Sequence, residues 1–176
     1  MYFPEFINSL PDLLRNYPDL EVVIAGDDRM AYGGVAPSEG SFGKWAKALL
    51  KDWCEEERVR FVGHLPLNQY ARLLKSSHIH CYLTRPFVVS WSLLEAMASG
   101  CCLVASNTDP VKEVADPEAT FWTDHRNPAS LSKVLGDAVT ITPKERKERG
   151  IAQRARVETR WNQSESLIRW VGLLEI

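Results

Sequence analysis

The chain is predicted to fold as an α/β domain with a Rossmann-like, doubly wound parallel sheet. Three observations predict it. Short apolar, β-branched runs alternate with segments of helical periodicity. The loops between most of them are short. Glycines punctuate the pattern, with Gly26 and Gly63 closing apolar runs and Gly100 closing a helical one. Such alternation means parallel strands joined by right-handed crossovers, with helices on both faces. Ligands of these sheets sit outside the carboxyl ends of the strands. The loops after residues 25, 62, 84 and 106 are therefore the places where chemistry is expected.

The elements follow in order. Phe6, Leu10, Leu13, Leu14 and Tyr17 recur at helical spacing, with Pro11 predicting a kink or a division into two short helices. Residues 20–25 form a continuous apolar run, as expected of a strand buried on both faces. Residues 30–41 are glycine-rich and read as a long loop. Helical spacing returns over 42–57 through Trp45, Leu49 and Trp53. A second unit has a strand at 58–62, a helix at 68–77, with Tyr70, Leu73 and Leu74 on one face, and a strand at 79–84. After the loop 85–90 come a helix at 91–99, a strand at 101–106, a short helix at 110–115 and a short strand at 119–123. From residue 128 the pattern is helical, with breaks near Pro143 and Trp161.

A doubly wound unit normally opens with a strand in the middle of its sheet. Here only Met1, Tyr2 and Phe3 precede the first helical segment, too few for such a strand. The sheet is expected to lack its first strand. The strands ending near residues 25 and 84 would flank the vacant place, as two unpaired edges or paired directly.

Composition narrows the functions. The 176 residues suit one domain, 1–176, and a formal net charge of -2 argues against nucleic acid as a partner. No stretch approaches the roughly 20 apolar residues of a membrane span, and residues 1–10 show no signal-peptide pattern; a cytoplasmic protein is expected. Cys54, Cys81, Cys101 and Cys102 have no zinc-knuckle spacing and read as reduced thiols, three of them packed in strands. No metal is expected. Residues 40–44 end in Gly-Lys with the wrong spacing for a phosphate loop, and no G-x-G-x-x-G occurs, so no dinucleotide cofactor is expected. Asp27 and Asp28 read as a turn rather than a metal pair. His78 and His80 read as packed or edge histidines, and His125 as part of a polar turn. Residues 144–160 mix charges at helical spacing, as a solvated helix face does. Leu167, Trp170, Val171 and Leu174 form an apolar stripe, for core packing or a domain interface.

The informative stretch is 84–100, a strand, loop and helix. The helix start offers backbone N–H groups from about Ser90, Trp91 and Ser92, a natural seat for phosphate. Glu95 stands one turn in. There it either accepts hydrogen bonds from a ribose diol or closes a capping box with Ser92, since Ser92-Leu93-Leu94-Glu95 fits that pattern.

Residues 87–100, Phe-Val-Val-Ser-Trp-Ser-Leu-Leu-Glu-Ala-Met-Ala-Ser-Gly, resemble the signature of the retaining family 4 glycosyltransferases, which runs Glu, seven residues, Glu, then Ala-Met-Ala-x-Gly. Residues 21–26, 60–66 and 110–114 resemble that family's flanking segments. The likeness is to the C-terminal, donor-binding half of its two-domain GT-B fold. It implies hexosyl transfer from a nucleotide-diphosphate sugar, without metal, to a glycan or small-molecule acceptor bound by an N-terminal half. It implies that Glu95 binds the donor ribose and that Ser90 and Trp91 give backbone N–H groups to the diphosphate. Gly63, His64 and Leu65 would lie against the base, with Val88 and Val89 beside the sugar. It assigns no catalytic residue within the chain: the cations that neutralise the leaving diphosphate in the family lie at or before the first helix, and only Arg85 is near. It also implies that helices from about residue 143 include the crossover to the other half. The family's first Glu falls on Phe87, a departure at the sugar position. Two other readings remain open, a non-catalytic binding domain and another doubly wound nucleotide-binding module.

Overall fold

The computed structural model describes residues 2–28, 40–87, 89–124 and 126–161. The predicted loop at 30–41, apart from its last two residues, lies outside them, as do Val88, His125 and the stripe Leu167, Trp170, Val171 and Leu174. The elements run α1 (Phe3–Asn16), β1 (Val22–Ala25), α2 (Phe42–Leu49), α3 (Lys51–Glu55), β2 (Val59–Gly63), α4 (Leu67–Ser76), β3 (Ile79–Tyr82), α5 (Trp91–Ala98), β4 (Cys102–Ser106), α6 (Asp109–Val114), β5 (Thr120–Thr123), α7 (Pro128–Thr140) and α8 (Pro143–Arg160).

Two elements differ from the sequence reading. α1 runs as one helix through Pro11. Its face Ile7, Leu10, Leu13 and Leu14 is buried, and that burial outweighs the one backbone bond that proline removes. The helix expected over 42–57 is two, divided at Leu50, whose buried side chain follows the core while its backbone leaves helical geometry.

The strands form two parallel sheets rather than one. β1 pairs with β2, and β4 lies between β3 and β5. β1 and β3 do not pair, so each leaves one edge open among the described residues. Of the two arrangements expected for a sheet without its first strand, this is the one with unpaired edges.

One helical layer nevertheless covers both sheets. Ile7, Leu10 and Leu14 of α1 and Leu131, Leu135 and Ala138 of α7 share a core with Val59 of β2 and Val104 of β4, with Val22, Ile24, Ile79 and Cys81 packed against it. A second core lies on the opposite face of the β3-β4-β5 sheet. There Leu103 and Ala105 meet Leu93, Ala96 and Met97 of α5 and Val111 and Val114 of α6. The alternation Leu103, Val104, Ala105 across the two cores is the period of two that a strand imposes. β4 is buried throughout, as a central strand should be. β1 is not: Val22, Val23 and Ile24 are half-buried and Ala25 is exposed. The expectation of burial on both faces is corrected here, because on β2 the far face carries Arg60, paired to Glu21 at 2.9 Å, and Val62, 37% exposed.

Long side chains tie the layers. Arg58 donates at 2.8 Å to the carbonyls of Leu14 and Tyr17, closing the end of α1. Arg156 does the same for α6 through Val114 and Glu113, at 2.7 and 3.0 Å. The mixed charges of α8 form the expected i,i+4 pairs, Arg149 with Glu145 and Arg154 with Glu158. Arg149 and Arg156 are half-buried, so this helix is more than a solvated face.

His80 sits on β3, and burial lowers its pKa to about 4. Its ordinary value is about 6.5. Between those pH values the unfolded chain binds a proton that the folded chain refuses, so stability falls as the pH falls through that window. The full effect is at most about 3 kcal/mol. Urea denaturation at pH 4.5 and pH 7 should show a stability difference that His80→Leu reduces; an unchanged difference would place the acid sensitivity elsewhere.

Candidate functional site

α5 begins where sequence reasoning placed it. Ser90 is the N-cap residue, with extended backbone, and its side chain makes no cap bond. Its hydroxyl instead lies 2.7 Å from that of Ser92. The Ser90 N–H donates to the Tyr82 hydroxyl at 2.9 Å, and the Leu93 N–H donates to the Ser90 carbonyl at 3.1 Å. No hydrogen bond from the Trp91 or Ser92 N–H to a described residue is present. These two unpaired donors, with the positive end of the helix dipole behind them, suit an anion. Ser90, expected to give its own N–H, has that group engaged.

The far end of α5 is fixed equally firmly. Gly100, at φ +77°, lets Cys101 N–H reach the Ala96 carbonyl and its own N–H reach that of Met97, at 3.1 and 2.9 Å.

Glu95 does not close a capping box. With Ser90 as N-cap, Ser92 is already inside the helix, and a box would put its acid at Leu93. The half-buried Glu95 instead stands beside Tyr70 of α4. Burial, and next the nearby Glu95 carboxylate, raise the pKa of the Tyr70 hydroxyl. Tyr70 N–H bonds to the Pro66 carbonyl at 2.9 Å. The turn Gly63-His64-Leu65-Pro66 thus runs directly into the helix that meets Glu95.

That turn leaves the carboxyl end of β2. Gly63 has φ +67°, a conformation that costs glycine little, and its carbonyl accepts from Gly26 N–H at 2.8 Å. His64 is exposed and Leu65 half-buried. Val89 is half-buried and packs against the second core. Phe87 and Trp91 are 84% and 77% exposed, two large rings at the rim of the turn into α5. Arg85 lies 6.0 Å above the ring of Tyr2.

Asp28 accepts from Ser41 Oγ at 2.5 Å and Gly43 N–H at 2.9 Å, and these two bonds, in that order, hold its carboxyl below its ordinary pKa. It anchors the start of α2. Burial pushes the thiols of Cys101 and Cys102 up to about 11 and that of Cys81 to about 12, which favours the protonated thiol at neutral pH. Among the described residues there is no group of three metal-ligating side chains, and no helix is long and apolar enough to cross a membrane. Sequence reasoning missed Tyr82 and Tyr70. Each was read as part of an apolar pattern, and only its hydroxyl distinguishes it from core.

Comparison with known proteins decides the family. The model of the glycosyl transferases group 1 matches residues 2–156. The chain belongs to this family. No match was found among curated proteins. The fold is similar to that of sucrose-phosphate synthase from Thermosynechococcus elongatus, at TM-score 0.73 and 18% identity over 96% of this chain and 41% of that one. It is similar to the C-terminal domain of the group 1 glycosyl transferase LpcC from Francisella tularensis, at TM-score 0.71 and 20% identity over 90% of this chain and 78% of that one. It is also similar to HepE from Anabaena, solved with UDP and glucose, at TM-score 0.73 and 16% identity over 96% of this chain and 44% of that one. The chain spans about two fifths of the sucrose-phosphate synthase, as one half of a GT-B glycosyltransferase would.

Proposed function

We propose that this group 1 chain is the donor-binding half of a retaining, family 4 hexosyltransferase that uses a nucleotide-diphosphate sugar. The observation that carries the reading is the start of α5. There the unpaired N–H groups of Trp91 and Ser92 stand one turn from a half-buried carboxylate, Glu95, held beside a phenol. The bound UDP and glucose of the similar HepE structure support a nucleotide-sugar ligand. In this reading Trp91 and Ser92 bind the diphosphate and Glu95 the ribose diol. Gly63, His64 and Leu65 face the base, and Val89 neighbours the sugar through its backbone. Electrostatic stabilisation of the departing diphosphate drives the transfer, and configuration is retained because the acceptor hydroxyl attacks the anomeric carbon on the face the diphosphate leaves. Helix N–H groups and basic residues serve where other enzymes use a metal. The acceptor, a glycan or small molecule, is bound by an N-terminal half, and the parent enzyme works in the cytoplasm.

Glu95→Gln tests it. A hydrogen bond to a charged group contributes about 1.5–3 kcal/mol, so calorimetry without metal should show nucleoside diphosphate binding weakened about tenfold or more. The melting temperature should stay put, because Glu95 makes no helix-start bond. Reduced stability with unchanged binding would make Glu95 structural. Absence of binding by uridine, guanosine and adenosine diphosphates at millimolar concentration would remove the reading altogether.

One observation favours a second reading. The exposed ring of Phe87 stands where the resembling signature has a carboxylate, which fits a binding domain without transfer activity. Donor hydrolysis by the parent enzyme separates the two.

A further inference from the structure

We infer that Tyr82 is a direct ligand-binding residue, offering its phenolic proton to an oxygen of the bound diphosphate while its oxygen fixes Ser90. The inference rests on the reading of α5 as a diphosphate seat. Tyr82 is the last residue of β3 and is 5% exposed. Its ring is part of the second core, so the hydroxyl has one place to be. That place is 2.9 Å from Ser90 N, at the N-cap of α5.

A phenol has one proton to give and lone pairs to accept with. Here the oxygen accepts from Ser90, and no described residue accepts the proton in return. A buried O–H donor is ordinarily paired, so an acceptor from outside the described residues suits this one. The adjoining N–H groups of Trp91 and Ser92 are the unpaired donors of the same turn. An oxyanion drawn to them arrives beside the phenol. The Ser90 and Ser92 hydroxyls, 2.7 Å apart, share one proton between them and keep one to give. The first turn of α5 therefore gathers side-chain and backbone donors, a set suited to phosphate oxygens, with Glu95 one turn further on.

The test is Tyr82→Phe, which keeps the ring in its core. Binding of a nucleoside, its monophosphate and its diphosphate is measured by calorimetry, using uridine, guanosine and adenosine series, with a melt on each protein. Diphosphate affinity should fall about tenfold or more while nucleoside affinity stays within about twofold. Unchanged diphosphate binding overturns the inference. Tighter binding also overturns it, by showing that the phenol merely occupies the Ser90 N–H. Equal losses for nucleoside and diphosphate reduce Tyr82 to a packing role and overturn it too. If the unaltered chain binds no nucleotide, the seat and the inference fall together. If it binds, and Glu95→Gln weakens it as expected while Tyr82→Phe is silent, only the inference falls.

Discussion

Gly150→Ala should unfold the chain more readily than any other single methyl addition described here. Gly150 lies in the interior of α8 and is buried, where α8 packs against α5 and β4. A Cβ at this position would stand 2.0 Å from the Gly100 carbonyl oxygen and 2.9 Å from its carbon. Both are backbone atoms, and Gly100 is itself pinned by the bonds that end α5. Neither side yields cheaply, so α8 must lift from α5 and β4. Overpacking of this kind costs about 3 kcal/mol, against roughly 1 kcal/mol gained by replacing a helical glycine. A net loss of about 2 kcal/mol lowers Tm by roughly 4–8 °C in a domain of this size. Gly136→Ala is the control. Its Cβ would meet only the Tyr17 side chain, with the hydroxyl at its far end nearest, at 3.2 Å, so a shift of a few tenths of an ångström relieves the contact. Thermal melts of the two variants should diverge; equal melts would mean that α8 slides at no cost.

A larger effect is expected at the seam between the two sheets. The open edges of β1 and β3 carry backbone donors and acceptors beneath a shared helical layer. Each such group, left buried and unpaired, costs about 1–3 kcal/mol, and a whole domain has only about 5–15 kcal/mol. Open strand edges also recruit other chains. The 176-residue chain should therefore be marginally stable and should self-associate as its concentration rises. An extended, β-branched strand placed ahead of α1 would reach the seam by the usual right-handed crossover from that helix to β1. Pairing it on both sides should contribute roughly 5 kcal/mol and raise Tm by about 10–20 °C, while sharpening nucleotide binding. Thermal melts and sedimentation of the chain with and without that strand provide the comparison. A monomeric, highly stable chain that gains nothing from the addition would show that the strand order across the seam is wrong.

The sequence by itself determined the alternation of elements, the gap in the sheet and the turn into α5. These are local matters. A short apolar run such as Leu103-Val104-Ala105, bounded by Gly100 before and Asn107 after, reads as a buried strand, and Gly100 ends a helix because it tolerates φ +77°. Residues 87–100 carried the family likeness for the same reason, as contiguous signals. Tertiary structure alone decided what depends on partners far along the chain. Ser92-Leu93-Leu94-Glu95 reads as a capping box, yet Tyr82 takes the Ser90 N–H and sets the helix start two residues earlier, freeing Glu95 for Tyr70. Residues 20–25 read as buried on both faces, but burial belongs to the layers a strand meets, and Val22 and Ile24 of β1 pack against the helical core while Val23 and Ala25 belong to neither core among the described residues. Rings packed in or against a core, like those of Tyr82 and Tyr70, look apolar in a periodic pattern. Their roles come from the single atom that packing brings within reach.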